Sequence, residues 1–294
     1  MNKLLSTALV LALSLSGLFA ESKNSTVVYT IKGDASKAYS VMMDKPIKAL
    51  GYRLPDPRSG VHKVYEKEYG STTLDLLNFM TIVNGEKMLP LLSIEPKLAG
   101  FNPFNLVAYK HKHKDETVIA HLSTTAMMEM LEITDTKVIA QYTKMMDALD
   151  ALIAKTFPKA VVSHNTYEGG FDKPLMHFEL TFDRPEDLDD YIEEIQEQIE
   201  STFKKKGYVM AGFFDYKMAD DGDLAAYDAF WTFSLCHFPY SYAIFDNEGA
   251  MPEASVFAPC TMYLYIKKDT NTLVLGMPRL SNWNTLFPMK DKNV

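Results

Sequence analysis

Two stretches of the sequence share one frame and indicate how the whole chain is organised. Residues 95–109 read EPKLAGFNPFNLVAY, and residues 251–265 read MPEASVFAPCTMYLY. Each carries a proline, a phenylalanine, a second proline and a tyrosine at the same spacing, P-x4-F-x-P-x5-Y. Outside this frame, Gly51, Tyr52 and Lys112 also recur 156 residues later. Two copies are too few for a solenoid, so the sequence predicts two related compact units.

The first twenty residues have the pattern of a cleavable signal peptide. Lys3 provides a basic start, Leu4 to Leu15 is an apolar run, and Leu18-Phe19-Ala20 resembles a cleavage site. A retained membrane anchor is the alternative, but the apolar run is shorter than the ~20 residues that a membrane span needs. We therefore predict export to the periplasm, removal of residues 1–20 and no stable membrane insertion of the mature chain.

The rest of the chain is long enough for two domains of common size. We place the first repeat domain, with an added C-terminal helix, at 21–160 and the second, with both cysteines, at 161–294. The formal net charge of −8 disfavours nucleic acid and anionic membrane surfaces as partners. The expected partner is a small molecule or another periplasmic protein, and the sequence also allows a homodimer.

Each copy reads as a strand, a helix, paired strands, the proline motif and a hairpin. This order predicts an α+β fold of two duplicated small domains, each a mostly antiparallel sheet packed with helices. In the second copy an apolar stripe from Leu188 to Phe203 predicts a helix. Asp183 to Glu186 resembles its capping box, and Gly207 suits its left-handed end. Strands are predicted at 177–182, 208–217, 227–238, 261–267 and 272–276.

The first copy carries an additional long helix, predicted at Asp135 to Phe157 from its apolar stripe. Its hairpin strands are predicted at 106–110 and 117–121. We expect the added helix to link and pack the two domains, with residues 158–173 as the crossing segment.

The second copy resembles a known bacterial family. A strand ending near Cys236, followed by Met251-Pro252 and then by a Pro259-Cys260 step into a strand ending in Tyr265, is similar to domain-of-unknown-function family 302. The first copy departs from the pattern by carrying Phe104 in place of Cys260. The resemblance implies a small α+β domain in each copy and assigns no catalytic residues.

Cys236 and Cys260 are the only cysteines, and both lie in the second copy. Export favours a structural disulfide between them, and two buried inert thiols are the second interpretation. The third is a reactive or metal-binding thiol assisted by His237, which would make the chain a thiol- or metal-dependent redox protein. Strand alternation puts the two cysteines on different faces unless Pro259 shifts the register. There is no C-x-x-C pattern for thioredoxin-like exchange.

Two other residue types invite a metal hypothesis. If Lys114-Asp115 makes the hairpin turn, His111 faces Val118 and His121 lies ~10 Å farther along, which argues against a shared metal. His113 then belongs to a solvated turn. The methionines are soft ligands that suit Cu(I), but without a regular M-x-M series they are better explained as core fillers.

No recognised catalytic motif is present, so enzyme activity stays undecided and no cofactor is predicted. The favoured hypothesis is a soluble periplasmic binding or accessory protein with a ligand in the cleft between its two domains. Pockets at domain interfaces are often lined by aromatic residues. On this basis Trp231, Phe233, Tyr265 and Pro259 are the predicted ligand-contacting residues.

Overall fold

The computed structural model of the protein describes residues 22–218, 224–247 and 251–287. The predicted signal peptide lies outside these ranges, as does the segment 219–223 between the strands predicted at 208–217 and 227–238. Helices and antiparallel sheets pack together in the described part, which confirms the α+β fold class. None of its helices is both long enough and apolar enough to span a bilayer.

The described part contains twelve strands. They are β1 (Lys23–Asn24), β2 (Thr26–Lys32), β3 (Leu74–Ile82), β4 (Phe104–His111), β5 (Glu116–Leu122), β6 (Val161–Ser163), β7 (Thr166–Tyr167), β8 (Leu175–Thr181), β9 (Val209–Asp215), β10 (Tyr227–Cys236), β11 (Cys260–Lys267) and β12 (Thr272–Pro278).

The same part contains nine α-helices and two 3₁₀-helices. The α-helices are α1 (Ser36–Asp44), α2 (Pro46–Ala49), α3 (Val61–Tyr69), α4 (Gly85–Ile94), α5 (Thr124–Met130), α6 (Thr136–Thr156), α7 (Leu188–Lys205), α8 (Phe238–Phe245) and α9 (Asn282–Leu286). The 3₁₀-helices are η1 (Pro96–Phe101) and η2 (Pro252–Phe257).

The strands form two five-stranded antiparallel sheets and one small pair. The first sheet has the order β3-β4-β5-β2-β6, the second has the order β8-β12-β11-β10-β9, and β1 pairs with β7. Residues 158–173 are therefore more than a crossing segment, because they supply β6 to the first sheet and β7 to the small pair. The domain boundary predicted after residue 160 is not reflected in the sheets, since β6 follows it and still extends the first sheet.

Helix α7 covers one face of the second sheet, as its apolar stripe requires. Its start differs from the prediction, because Asp187 rather than Asp183 is the N-cap and its carboxylate accepts the backbone N–H groups of Asp189 and Asp190. A carboxylate there also suits the positive end of the helix dipole. Gly207, just beyond the helix, has φ of +81°, the left-handed conformation that the sequence predicts.

The proline motif folds alike in both halves. The helix η2 and the strands β11 and β12 begin and end 156 residues after η1, β4 and β5. The peptide bonds before Pro103 and Pro259 are both cis. The motif and the hairpin after it therefore have the same element boundaries at both positions.

The two motifs also pack against each other's sheets. Helix η1 lies on β11 and β12, while η2 lies on β4 and β5. Asn105 Nδ2 donates to the carbonyl of Ser255 at 2.8 Å, and Thr261 Oγ1 donates to the carbonyl of Pro103 at 3.1 Å. Each half thus satisfies polar backbone groups of the other where they are buried.

Most buried apolar side chains belong to one core that draws on both halves. A second, smaller cluster lies between the second sheet and α7. The methionines considered as copper ligands are all buried in the larger core, which agrees with core packing; they are Met42, Met43, Met127, Met128, Met130, Met145 and Met146.

Candidate functional site

Helix α3 of the first half and helix α8 of the second half contact each other. Tyr65 on α3 donates to Ser241 Oγ on α8 at 2.8 Å. Tyr69 stacks on Tyr242 with ring centroids 4.1 Å apart and an interplanar angle of 15°. We call this contact between α3 and α8 the seam.

A buried carboxylate closes the seam at the end of α8. Asp246 is 1% exposed and accepts the backbone N–H of Thr73 at 2.6 Å and the Thr73 hydroxyl at 2.7 Å. The hydroxyl of Thr72 donates to its other oxygen. A buried carboxylate is costly unless it is hydrogen-bonded. Because Thr72 and Thr73 belong to the first half, Asp246 has these donors only when the two halves pack together in this way.

Beside the seam lies a cavity of about 250 Å³ whose wall comes from both halves. The first half contributes the loop before α3, the first turns of α3 and the strand β3, and the second contributes β9, the end of β10, the start of α8 and the residue before β11. The lining residues are Asp56, Arg58, Ser59, Val61, Val64, Phe79, Thr81, Val209, Ala211, Cys236, Phe238 and Pro259. The wall is therefore mostly apolar, with one guanidinium, one carboxylate, one thiol and two hydroxyls.

Backbone hydrogen bonds fix the position of Arg58. Its N–H donates to the carbonyl of Phe79 and its carbonyl accepts from the N–H of Phe79, each at 2.8 Å. Its guanidinium contacts Asp56 Oδ2 at 2.5 Å, and the two side chains are 54% and 24% exposed. An ion pair with this much solvent contact contributes only ~0–1 kcal/mol, so an anionic ligand could compete with Asp56 for Arg58.

The structure brings only one of the four predicted ligand-contacting residues to this cavity. Pro259 lines it, whereas Trp231 and Phe233 are buried in the cluster under α7 and Tyr265 is buried in the larger core. The three aromatic residues are at most 4% exposed, so they act as core residues rather than as the walls of an open cleft.

The sequence does not predict the other residues that line the cavity, because no local pattern distinguishes them. Arg58 lies in an irregular loop, and Val64 and Phe79 belong to a short helix and a buried strand. Their partners in the wall, such as Ala211, are far away along the chain. Only the packing of the halves brings these segments together.

Both cysteines are free thiols in the structure. Leu235, not Cys236, lies opposite Cys260 in the register of β10 and β11, which gives the two cysteines the different faces that alternation predicts. Cys236 lines the cavity, with Sγ 3.9 Å from Ser241 Oγ.

Burial controls the acidity of both thiols. It raises the pKa of Cys236, although the Ser241 hydrogen bond and the charge of Arg58 act in the opposite direction. Burial, reinforced by Cys236, raises the pKa of Cys260 to about 12. Since the thiolate is the nucleophile and the metal ligand, both cysteines are poorly suited to either role at neutral pH.

His237 lies next to Cys236 but has other neighbours. Its ring is 5.1 Å from that of Tyr208, and it stands beside Gly207 at the end of α7. Within residues 22–218, 224–247 and 251–287, no three His, Cys, Asp or Glu side chains are grouped so that they could hold a metal ion.

The histidines of the first hairpin are separated by the register of its strands. Tyr109, rather than His111 as predicted, lies opposite Val118. His113 is exposed in the turn, and His121 is buried. They therefore do not form a common site.

His121 instead belongs to a partly buried hydrogen-bonded group with Tyr29 and Asp150. Asp150 Oδ1 lies 2.8 Å from His121 Nε2 and accepts the Tyr29 hydroxyl at 2.7 Å. His121 Nδ1 is 2.8 Å from the carbonyl of Leu122. Both ring nitrogens of His121 therefore have an oxygen neighbour, and Asp150 has two hydrogen-bond partners.

Comparisons with known proteins yield little. No family model and no curated protein sequence matches the chain. A solved structure, described as the crystal structure of uncharacterized conserved protein DUF302 from Bacillus stearothermophilus, is similar to 48% of this chain and 98% of its own, with 13% sequence identity and a TM-score of 0.34. A similarity this weak assigns neither a family nor an activity to the chain.

Proposed function

We propose that the protein is an exported binding or accessory protein that holds a small molecule in the cavity beside the seam. The observation that carries the proposal is a cavity of about 250 Å³ with a mostly apolar wall, a guanidinium and contributions from both halves. Ligand pockets are commonly apolar, contain a few polar groups and occur at domain interfaces. We further propose that each half is a family 302 module, on the basis of the shared proline motif.

The size and chemistry of the cavity suggest a class of ligand. An apolar protein cavity of ~150 Å³ binds benzene, so this larger one suits a single ring or a short chain with one substituent. Arg58 would pair with an anionic substituent, because its present partner Asp56 holds it only weakly. A small aromatic or aliphatic carboxylate meets both conditions.

Calorimetric titration of the mature protein with phenylacetate and with the neutral phenethyl alcohol tests the proposal. We expect both to saturate one site and phenylacetate to bind more tightly. Arg58→Gln should weaken phenylacetate about tenfold, or ~1.4 kcal/mol, and leave the alcohol unchanged. Ala211→Phe, which fills the cavity, should abolish both.

Arg184→Gln is the matched control, since it breaks the Arg184–Asp228 pair outside the cavity wall and should change neither affinity. Absence of saturable binding by a correctly folded protein would reject the cavity as a ligand site. Binding that survives Ala211→Phe would move the site elsewhere.

The alternative, a thiol- or metal-dependent redox protein, is supported by one observation: Cys236 lines the same cavity. The raised pKa of both cysteines speaks against it. Elemental analysis of protein purified from the periplasm distinguishes the two functions. A stoichiometric metal that is lost in Cys236→Ser or Cys260→Ser would favour the redox function.

The proposed location has its own test. Fractionation of the producing cells, with N-terminal sequencing of the purified protein, should find a periplasmic chain that begins near Glu21. A cytoplasmic chain that retains Met1 would overturn the proposed export.

A further inference from the structure

Strand β8 lies at the edge of the second sheet, and within residues 22–218, 224–247 and 251–287 its one strand partner is β12. Two apolar side chains on it are largely open to solvent, with Phe178 59% exposed and Leu180 55% exposed. An edge strand also presents unpaired backbone N–H and C=O groups. A seven-residue edge with exposed apolar side chains is therefore a surface that favours pairing with another strand.

The first half of the chain shows how the equivalent edge is completed. In the first sheet β2 pairs with β5, just as β8 pairs with β12 in the second sheet. The outer edge of β2 is then paired with β6. In the described part of the second half, no strand takes the corresponding place beside β8. Among the described residues, the second sheet thus has no counterpart of β6.

The helix on this sheet leaves the β8 side uncovered. Helix α7 packs alongside β9, at the opposite edge. Phe178 and Leu180 lie opposite Leu275 and Leu273, which belong to the apolar cluster under α7. The two exposed side chains therefore continue that apolar surface beyond the helix.

We propose that β8 pairs with β8 of a second copy of this chain, antiparallel about a twofold axis at Phe178. In this register Phe178 lies opposite itself, His177 lies opposite Glu179 of the partner subunit, and Met176 lies opposite Leu180 of the partner subunit. The pairing is self-complementary, as a twofold interface must be. It joins the two second sheets into one continuous sheet.

Like-charge repulsion disfavours the register centred one residue away, at Glu179. Like charges directly opposite each other on paired strands are destabilising. Moving the axis by one residue to Glu179 would place two carboxylates opposite each other. The register centred on Phe178 instead forms two His177–Glu179 pairs and gathers Phe178 and Leu180 of both subunits on one face.

Cysteine cross-linking tests both the dimer and its register. Residues opposite each other in an antiparallel pair have Cα atoms ~4.5–5.5 Å apart, which a disulfide can bridge. Phe178→Cys should therefore form a disulfide-linked dimer under mild oxidation. Leu180→Cys should not, because the two copies of residue 180 would be four residues out of register, or ~13 Å apart.

The unsubstituted chain is the control for Cys236 and Cys260, and peptide mass analysis should locate the cross-link at residue 178. Equal cross-linking of Leu180→Cys would reject the register. Failure of Phe178→Cys to cross-link would reject the pairing.

Sedimentation measurements provide a second test without new cysteines. The mature protein should sediment as a dimer, and Glu179→Lys should make it a monomer because it removes the carboxylate opposite His177 and brings two lysines into the interface. Phe213→Lys, on the other edge strand and 42% exposed in the native chain, should leave the dimer intact. A protein that is monomeric at all concentrations, or one that dissociates only with Phe213→Lys, would overturn the proposal.

Discussion

Phe101 and Phe257, which are 156 residues apart, meet edge to face with ring centroids 5.6 Å apart and planes at 84°. Each is the last residue of a 3₁₀-helix that packs on the sheet of the other half. The equivalent phenylalanines of the two proline motifs are therefore in contact with each other.

This contact predicts strong and coupled effects of substitution. Phe101→Ala and Phe257→Ala should each lower the free energy of unfolding by about 3–5 kcal/mol, because each opens a cavity in the shared core. A double-mutant cycle by urea unfolding should give a coupling of about 0.5–1.5 kcal/mol. Val41→Ala, on the exposed face of α1, is the control and should cost little. Strict additivity would show that the rings do not interact.

Gly276 should be intolerant of a side chain. It lies opposite Tyr263, and a β-carbon there would overlap the buried phenol ring. Gly276→Ala should therefore destabilise the protein by about 1–3 kcal/mol, as overpacking of a core does. Gly170→Ala is the matched control, since a β-carbon there meets nothing within 4 Å. Equal thermal midpoints for the two variants would contradict the tight packing of Tyr263.

Asp150 should make stability depend on acid pH. Burial favours its neutral form, but the hydrogen bonds from His121 and Tyr29 and the charge of His121 outweigh this and lower its pKa. The unfolded carboxyl titrates near pH ~3.9, so its contribution is complete above that pH and is lost as pH falls through the lower folded pKa.

Asp150→Asn should consequently destabilise the protein at pH 7 and make less difference in strong acid, as measured by urea midpoints at several pH values. Asp147→Asn, on the exposed side of the same helix, should leave the pH profile unchanged. A constant penalty for Asp150→Asn across the acid range would show that its charge does not contribute.

The two cysteines should react slowly in the native protein. Since burial raises the pKa of Cys236 and raises that of Cys260 to about 12, little thiolate exists at neutral pH. Iodoacetamide labelling followed by mass should be at least about tenfold slower than after unfolding, and should speed up as pH rises. Two labels only after reduction would reveal a disulfide, and rapid native labelling would support the redox alternative.

Much of the fold follows from periodicity in the sequence. The apolar stripe from Leu188 to Phe203 predicts α7, and the alternating hairpin sequences predict β4, β5, β11 and β12 to within about two residues. These segments are predictable because the spacing of apolar residues in each segment shows which of its own side chains are buried. The short strand β6 escapes detection because three residues cannot display a period.

The cavity depends instead on contacts between distant segments. The sequence does contain a signal that Trp231 and Phe233 are core residues rather than ligand walls. They share one face of β10, and the stripe of α7 needs an apolar face to cover. Alternation and amphipathicity together assign them to the core, whereas nothing in the local sequence marks Arg58 as a lining residue.

The exchange of 3₁₀-helices between the halves bears on how the chain can come apart. Separating the halves would leave each sheet without the 3₁₀-helix of the other half. It would also expose the rings of Phe101 and Phe257. Loss of one half therefore removes part of the other's interior. Although its sequence reads as two modules, the protein should unfold in a single all-or-none step.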